Sequence, residues 1–354
     1  MAQAVIRISR SPGERRTALL LDGVLREAWV ERPSRPDGVG DVVAARVSAL
    51  APAMAGSFVT MPDGATGFLP DSESRGTTLH EGLLVVVRVT RAAQGSKGPR
   101  LSIKRAPAMA ATAPGILARG PDAAQRLAAA HPDAARIADD RAEATRLEAQ
   151  YAPDAFDDAL EAEFDTLAEP RAALSGGGTL WVQTTQALTA LDADAGAQSA
   201  GRDRNAQRRF NTVLVAEAAR QIRLRNLAGA ILLDVAGLAV KERAAWEAPL
   251  RAALAADPLC ELLGLGPLGL FEMRRARIHL PLAETLADPV TPALRLLRQA
   301  AREAAAAPHR RLALRAPARA LQALRAMPEA LAEYAGQATH PITLQEGQPE
   351  ITDA

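Results

Sequence analysis

Two aspartates that end apolar, strand-like segments are the residues of this sequence best suited to chemistry. Asp192 follows ALTAL and Asp234 follows AILL, 42 positions apart, and Asp194 comes two residues after Asp192. If the two segments are parallel neighbours, both carboxylates lie at one sheet edge, where α/β proteins bind ligands. Carboxylate oxygens suit Mg²⁺, which can polarise a phosphodiester and lower the pKa of an attacking water. The alternative is helix capping, a common role of aspartate after a strand.

Other reactive side chains lack the spacing of a known kind of site. The five histidines are scattered, without a pair at metal-ligand spacing, and we interpret them as structural or surface residues. The glycines at 176–178 lack the Lys-Ser/Thr of a phosphate-binding loop and are typical of a turn that enters a strand. The single cysteine, Cys260, excludes a disulfide scaffold and a thiolate zinc cluster, and we expect it to pack in a helix.

The segments around the aspartates must form strands and a crossover helix for the carboxylates to meet. TLWVQ and ALTALDAD predict a strand pair, and the amphipathic pattern over 206–226 predicts a long helix. A glycine turn then leads into AILLDVAG, which gives the strand–helix–strand order of a parallel sheet. A helix over 241–255 and a strand near LGLFEM complete this region.

The rest of the chain predicts a β-rich start, a helical middle and a small α/β end. Residues 4–34 alternate like two strands around the Asp-Gly turn at 22–23. Residues 36–105 hold five short β-branched segments, which favours a small closed barrel with the OB-fold as the leading candidate. Residues 106–150 are alanine-rich and predict short helices or a linker. The last part predicts helices over 291–306 and 318–334, the second broken or kinked at Pro328, around RRLALRAP.

Composition limits the classes of protein to which the chain can belong. Of the 354 residues, 48% are hydrophobic and 23% charged, so the chain can bury a core and wholesale disorder is excluded. The net charge of +1 hides two basic blocks that flank an acidic one, a distribution that permits a polyanionic partner without requiring it. No stretch reaches the roughly 18 apolar residues of a membrane span, so we expect a cytoplasmic protein without a membrane partner.

Several of these segments resemble the ribonuclease E/G family of metal-dependent endoribonucleases. ALTALDAD resembles the family's strand E-A-L-T-x-I-D-x-N, and FNTVLVAEAARQIRLRNLAGAILLD resembles its long helix and the strand after it. GPLGLFEMRRARI is similar to the family's S-R-x-G-L-x-E-x-x-R-x-R. VGDVVAARV, GFLP and QGSKGPRLSIK are similar to its S1-type OB-fold. The resemblance covers most of the chain and is most specific over residues 177–280.

The resemblance implies a multidomain α/β (α+β) fold in five parts. In chain order these are N-terminal strands of a reduced RNase H-like region (1–35), an S1-type OB-fold β-barrel that binds RNA (36–105), a helical linker with the RNase H-like remainder (106–176), a DNase I-like catalytic region (177–280) and a small C-terminal α/β domain (281–354).

The resemblance also implies roles for individual residues. Asp192 and Asp234 match the aspartates that hold the catalytic Mg²⁺, with Mn²⁺ as an alternative ion, and Asp194 stands where the family has an asparagine that orients the site. Phe58 and Phe68 match positions on which RNA bases stack, with packing in the barrel core as the alternative. The basic candidates for RNA contacts are Lys97, Arg100, Lys104, Arg202, Arg208 and Arg209, for which an ordinary solvated surface is the alternative.

The sequence departs from the family pattern at several functional positions. Gln183 and Gln186 stand where the family has acidic residues, and Pro267 replaces an arginine. The zinc-binding Cys-Pro-x-Cys segment that joins protomers is absent, as is the pocket that reads a 5′ monophosphate. We therefore expect no structural zinc, no oligomer through a zinc link and no sensing of the RNA 5′ end.

The retained and the lost family residues together leave two hypotheses for the function. The first is a Mg²⁺-dependent endoribonuclease that cuts single-stranded RNA, such as rRNA or mRNA precursors, and leaves a 5′-phosphate and a 3′-hydroxyl. The second is a non-catalytic RNA-binding protein that keeps the fold with a degenerate site. Both metal-binding aspartates favour the enzyme, whereas Gln183, Gln186 and Pro267 favour the alternative.

Overall fold

The computed structural model describes residues 3–95, 97–196, 204–235 and 237–354. They form two units. The first consists of Met1–Ser34, Leu127–Ala276 and Pro281–Ala354, and the second of Arg35–Arg126 with Arg277–Leu280. The second unit is thus an insertion in the chain of the first.

Strands and helices are numbered in chain order. The strands are β1 (Ala4–Ser11), β2 (Glu14–Leu21), β3 (Val24–Glu31), β4 (Val42–Ala51), β5 (Gly56–Thr60), β6 (Thr66–Pro70), β7 (Leu84–Arg91), β8 (Arg100–Ser102), β9 (Gly115–Ala118), β10 (Ala135–Ala138), β11 (Gln150–Tyr151), β12 (Arg171–Ala173), β13 (Thr179–Thr184), β14 (Leu188–Asp194), β15 (Gly229–Leu233), β16 (Cys260–Leu265), β17 (Phe271–Arg275), β18 (Leu312–Ala316), β19 (Thr343–Glu346) and β20 (Glu350–Asp353). The α-helices are α1 (Ala123–Ala130), α2 (Arg141–Leu147), α3 (Asp158–Thr166), α4 (Arg204–Leu224), α5 (Val240–Arg243), α6 (Glu247–Leu254), α7 (Leu282–Leu286), α8 (Thr291–Ala306), α9 (Ala318–Arg325) and α10 (Pro328–Gln337).

The second unit is built on a closed five-stranded barrel. Its strand order is β5-β6-β8-β7-β4, and a further pairing of β5 with β4 closes the sheet. Strands β6 and β8 are parallel, whereas the other barrel pairs are antiparallel, which is the connectivity of an OB-fold. The barrel predicted from the β-branched segments is therefore confirmed. Its interior is filled by aliphatic side chains, among them Val43, Val47, Val59, Leu69, Val87 and Leu101.

The first unit begins with an antiparallel meander of three strands, β1, β2 and β3, rather than the two predicted for residues 4–34. Asp22 and Gly23 join β2 to β3 with φ angles of +51° and +76°, the left-handed pair that a tight hairpin turn requires. Strands β10 and β11 extend this sheet in parallel beside β1. The prediction that 106–150 forms short helices or a linker is wrong at β9, which pairs with β4, and at β10. At β10, pairing with β1 overrides the helical preference of the alanines.

A six-stranded sheet with the order β12-β13-β14-β15-β17-β16 carries the candidate site. Strands β14 and β15 are parallel and are connected through helix α4, as the glycine-turn pattern predicts. Helices α4 and α6 supply the apolar side chains that pack with one face of the sheet. Leu191, Ile231 and Leu233 lie in this core together with Leu214 and Leu250.

Two local predictions near this sheet are wrong. Cys260 does not lie in a helix; it begins β16 and pairs with Arg275 of β17. The helix predicted over 241–255 is divided into α5, a 3₁₀ turn at Ala244–Trp246 and α6. Pro249 lies in the first turn of α6, where a residue without an N–H is accepted, so the sequence is suited to a new helix start there.

The C-terminal part of the first unit packs helices α8, α9 and α10 against the sheet β19-β18-β20. Arg298 of α8 donates hydrogen bonds to Glu14 of β2 (3.1 Å) and Glu161 of α3 (3.0 Å), and all three side chains are largely buried. Burying charged groups is costly unless they are paired, so this network holds α8 on the N-terminal meander and α3. Among the described helices, none is both long and apolar enough to cross a membrane.

Candidate functional site

Asp192, near the end of β14, and Asp234, directly after β15, lie side by side on two parallel strands. Leu191 of β14 pairs with Leu233 of β15, so the two aspartates occupy the next position on each strand. The ladder continues there, because the backbone N–H of Asp234 donates to the carbonyl of Leu191 at 2.9 Å. Neighbouring strands are about 4.8 Å apart, which brings the two carboxylates within reach of one ion.

Alternation along the strands places both carboxylates on the sheet face opposite the helical core. Leu191 and Leu233 point into that core, and the next side chain of each strand points the other way. Asp192 is exposed, and the Asp234 side chain is 41% exposed. The two groups are thus accessible to a ligand from solvent.

The same face carries a row of residues across four strands, here named the Asp192 row. Trp181 of β13 is the direct cross-strand partner of Asp192, and Arg171 of β12 is the partner of Trp181. Trp181 is half-buried and lies outside the core cluster that contains its neighbours Leu180 and Val182. The Asp192 row, Arg171–Trp181–Asp192–Asp234, therefore sets a cation and an aromatic ring beside the two carboxylates.

Asp194 lies near the pair but is held by its own turn. It ends β14 opposite Thr179, and its Oδ1 accepts the backbone N–H of Gly196 at 2.8 Å. Its side chain is exposed. Gln183, one of the departures from the family pattern, lies opposite Ala190 and is also exposed. Asp194 can thus add negative charge near the pair.

Arg243 contacts Asp234 directly, a contact that the sequence analysis did not predict. Its Nη1 donates to Asp234 Oδ1 at 2.5 Å and to the carbonyl of Gly269 at 2.8 Å, and its Nε donates to the carbonyl of Leu238 at 3.1 Å. The Arg243 side chain is 15% exposed, so the guanidinium is fixed by these bonds. No spacing rule links the two residues, because the contact depends on how α5 and the β16–β17 turn meet.

The donor set fits a magnesium ion. Mg²⁺ in proteins is commonly held by one or two carboxylates and keeps several waters, which matches two accessible aspartates on a solvent-facing sheet. Within the described ranges there is no cluster of three or more His, Cys, Asp or Glu side chains arranged for a metal. The residues able to hold the ion are therefore Asp192 and Asp234, with Asp234 already oriented by Arg243.

The first turns of α4 reach the same edge of the sheet. A side-chain carbon at Gly178 would lie 2.8 Å from the carbonyl oxygen of Asp194 and 2.9 Å from the ring of Phe210, so this close approach needs glycine. Arg208 and Arg209 are exposed beside Phe210 on this part of the helix. A helix start carries partial positive charge, and the arginines add to it. Arg202 lies outside the described residues.

Phe58 and Phe68 form an aromatic pair on the outer face of the barrel. They are cross-strand partners on β5 and β6, with ring centroids 5.7 Å apart and an interplanar angle of 63°. Both are half-buried, whereas the adjacent Val59 and Leu69 fill the barrel interior. The geometry thus offers two rings to a partner outside the barrel.

Arginines lie next to this aromatic pair. Arg100 of β8 is the partner of Phe68 on one side and of Arg91 on the other. The pKa of Arg91 is lowered, first by partial burial and then by repulsion from the guanidinium groups of Arg100 and Arg277. We name Arg91, Arg100 and Arg277 the guanidinium cluster; it concentrates positive charge beside the rings, and the sequence analysis named only Arg100. Lys97 and Lys104, which come before and after β8 in the chain, are both exposed.

A cavity of about 470 Å³ in the first unit is lined by Arg171 of the Asp192 row, among other residues, but not by the aspartates. Two other charged lining residues make structural contacts. Arg225 donates to the backbone carbonyls of Leu167 and Arg171, and Arg220 pairs with Glu163 at 3.1 Å. Burial lowers the pKa of Arg225 to about 10. These contacts tie α4 to the segment between α3 and β12.

The chain thus combines an OB-type barrel with an α/β unit whose sheet presents paired carboxylates. Residues 122–278 match the model of the Ribonuclease E/G family. The resemblance to the ribonuclease E/G family that the sequence motifs indicate is therefore confirmed over these residues.

Curated relatives support the same assignment. Ribonuclease E of Escherichia coli (strain K12) is 33% identical over 130 residues, which are 36% of this chain and 12% of that protein. Ribonuclease G of Salmonella typhimurium (strain SL1344) is 35% identical over 122 residues, 33% of this chain and 25% of that protein. A chloroplastic ribonuclease E/G-like protein of Arabidopsis thaliana is 28% identical over 135 residues, 37% of this chain and 14% of that protein. The chain spans a quarter or less of the length of these relatives.

Proposed function

We propose that this protein is a Mg²⁺-dependent endoribonuclease that cuts single-stranded RNA. The observation that carries the proposal is the register of Asp192 with Asp234, which supplies two carboxylates for one ion on an accessible sheet face. The names of the relatives, ribonuclease E and ribonuclease G, support RNA as the substrate. Candidate substrates are rRNA and mRNA precursors.

A magnesium ion at this site would supply Lewis-acid polarisation of the scissile phosphodiester and would neutralise its charge. The residues of this chain bind and orient the RNA. Asp192 and Asp234 fix where that phosphate is held, and Arg243 orients the Asp234 carboxylate through Oδ1. Arg208 and Arg209 add positive charge at the start of α4 and attract the RNA backbone.

The barrel contributes binding of the single strand in this proposal. Single-stranded RNA is held by stacking of bases on aromatic rings together with a basic path for the backbone. Phe58 and Phe68 provide the rings, and the guanidinium cluster lies directly beside them. Lys97 and Lys104 extend the basic surface before and after β8.

A non-catalytic RNA-binding protein is the second candidate, and one observation favours it. Arg243 already occupies Oδ1 of Asp234, so an ion must share this carboxylate with a guanidinium. With Gln183 and Gln186 neutral, the negative charge that attracts an ion is also lower than in the family pattern. We therefore expect weak magnesium affinity and activity that needs millimolar ion.

The test is incubation of purified protein with end-labelled single-stranded RNA, with Mg²⁺ or with EDTA. We expect internal cleavage with Mg²⁺ alone, and its loss in Asp234→Asn. Glu261→Gln is the matched control, since Glu261 is an exposed carboxylate on β16, at the far edge of the same sheet, paired with Arg274. RNA binding without cleavage at any Mg²⁺ or Mn²⁺ concentration would favour the second candidate.

A further inference from the structure

Trp181 is a large aromatic residue in an unusual place for a sheet that has a helical core on its other face. The chain holds only three tryptophans, and 3% of its residues are aromatic. Trp246 is one of the three and lies in the core cluster, as expected of a large apolar side chain. Trp181 instead points away from that cluster, between buried Leu180 and Val182.

The neighbours of Trp181 in the sheet are a carboxylate on one side and a guanidinium on the other. Asp192 is its direct partner on one side, and Cβ atoms of such pairs are about 4.5–5.5 Å apart. Arg171 is its partner on the other side; the side chain of Arg171 is 60% exposed and forms a surface ion pair with Glu169. Such a surface ion pair is weak and yields readily to a phosphate.

We propose that Trp181 is the stacking platform for a nucleobase next to the scissile phosphate, with Arg171 contacting the following phosphate. The inference rests on the proposed function, since it takes the aspartates as the point where the phosphate is held. A nucleotide beside that phosphate places its base over the neighbouring strand, which carries the indole ring. Because every base has a π-face, the platform accepts any base and serves affinity rather than sequence reading.

The platform also gives the α/β unit its own hold on single-stranded RNA. The rings of Phe58 and Phe68 belong to the barrel unit, whereas Trp181 belongs to the sheet that carries the aspartates. Binding of short oligonucleotides that occupy the Asp192 row should therefore depend on Trp181.

Binding of a five-nucleotide RNA in EDTA tests the proposal without cleavage. We expect the RNA to quench tryptophan emission in the parent protein and in the control variant Glu261→Gln. Trp181→Phe keeps a ring, so it should retain most of the affinity and lose the quenching. Trp181→Ala should bind roughly 5- to 150-fold more weakly, the loss expected for one stacked base. A thermal unfolding curve of each variant checks that the sheet is intact.

Abasic substitution at each position of the oligonucleotide separates stacking from general damage. In the parent, one abasic position should weaken binding, and in Trp181→Ala the same position should have no further effect. If cleavage with Mg²⁺ occurs but quenching and this coupling are both absent, the platform is wrong while the endoribonuclease stands. If the coupling is present without any cleavage, the platform stands and the catalytic proposal fails. Absence of quenching up to millimolar RNA overturns the platform.

Discussion

The Nη1 atom of Arg243 lies 2.5 Å from Oδ1 of Asp234 and 2.8 Å from the carbonyl oxygen of Gly269. Gly269 belongs to the β16–β17 turn that also contains Pro267, the residue that stands where the family pattern has an arginine. Arg243 therefore supplies a guanidinium at the turn where the motif arginine is missing. Its charge both orients Asp234 and opposes the binding of a second cation there.

Arg243→Ala should strengthen metal binding, because removal of the guanidinium frees Asp234 Oδ1 and removes a repulsive charge. We expect a roughly five-fold lower dissociation constant for Mn²⁺, about 1 kcal/mol. Titration calorimetry with Mn²⁺ measures it. Arg251→Ala is the matched control, since Arg251 is exposed on α6 and pairs with Glu247 at the surface. Equal Mn²⁺ affinity in the parent and Arg243→Ala would contradict a shared carboxylate.

Phe58→Ala and Phe68→Ala should each weaken binding of a long single-stranded RNA by about 1–3 kcal/mol, because each removes a ring on which a base stacks. Fluorescence anisotropy with a labelled RNA measures the effect. Thr66→Ala is the control, since Thr66 is exposed on β6, two residues before Phe68 and on the same face. If both phenylalanine variants fold and bind RNA like the parent, the rings are not a binding surface.

Arg100→Ala should make RNA binding less dependent on salt. Each phosphate neutralised on a single strand contributes about −0.7 to the slope of log affinity against log salt, so loss of one contact reduces the slope by that amount. Measuring affinity at several salt concentrations gives both slopes. Arg315→Gln, a surface arginine paired with Glu350 in the C-terminal sheet, should leave the slope unchanged. An unaltered slope in Arg100→Ala removes this residue from the RNA path.

Glu161→Gln should destabilise the first unit at neutral pH and much less in acid. Burial raises the pKa of Glu161, but Arg298, Arg16 and Arg302 lower it by a larger amount, so the folded pKa lies below the ordinary value. The stabilisation from the charged form is therefore present above about pH 4.5 and is lost as the pH falls through the folded pKa. We expect about 3 kcal/mol less unfolding free energy at pH 7, because a buried ion network loses its anion.

Urea unfolding of the parent and of Glu161→Gln at pH 7 and at pH 3 measures this difference. Glu163→Gln serves as a control, because Glu163 lies on the same helix and its side chain is 38% exposed. A difference between parent and Glu161→Gln that stays constant with pH would show that the network does not depend on the charge of Glu161.

Regular patterns made part of this molecule predictable from its sequence. The apolar segments ALTAL and AILL, with a helix between them, are enough to place Asp192 and Asp234 at the same level of neighbouring parallel strands. Five β-branched segments separated by turns predicted the barrel in the same way. The alternation of Trp181 with Leu180 and Val182 indicates that its side chain points away from the core. Its pairing with Asp192, however, follows only from the β13–β14 register.

Other features depend on tertiary contacts that no local pattern records. Strand β10 consists of ARIA, whose alanines favour helix, and it becomes a strand only by pairing with β1. Arg243 reaches Asp234 because α5 and the turn at Gly269 meet at the sheet edge. The guanidinium cluster joins Arg277, far along the chain, to Arg91 and Arg100 of the barrel. The likeness of the α/β unit to RNase H and DNase I folds stays a prediction.

The most direct measurement is the rate of cleavage of single-stranded RNA by the parent, Asp192→Asn, Asp234→Asn and Asp194→Asn in millimolar Mg²⁺. Replacing either paired aspartate keeps its shape and removes one charge, so cleavage should fall by at least roughly 100-fold, about 2.7 kcal/mol of transition-state stabilisation. RNA binding should persist in both variants, because one fewer anion then faces the phosphate. Asp194→Asn should keep most of the activity, since the Asp194 side chain is bound to its own turn. Full activity in Asp192→Asn or Asp234→Asn would contradict the account.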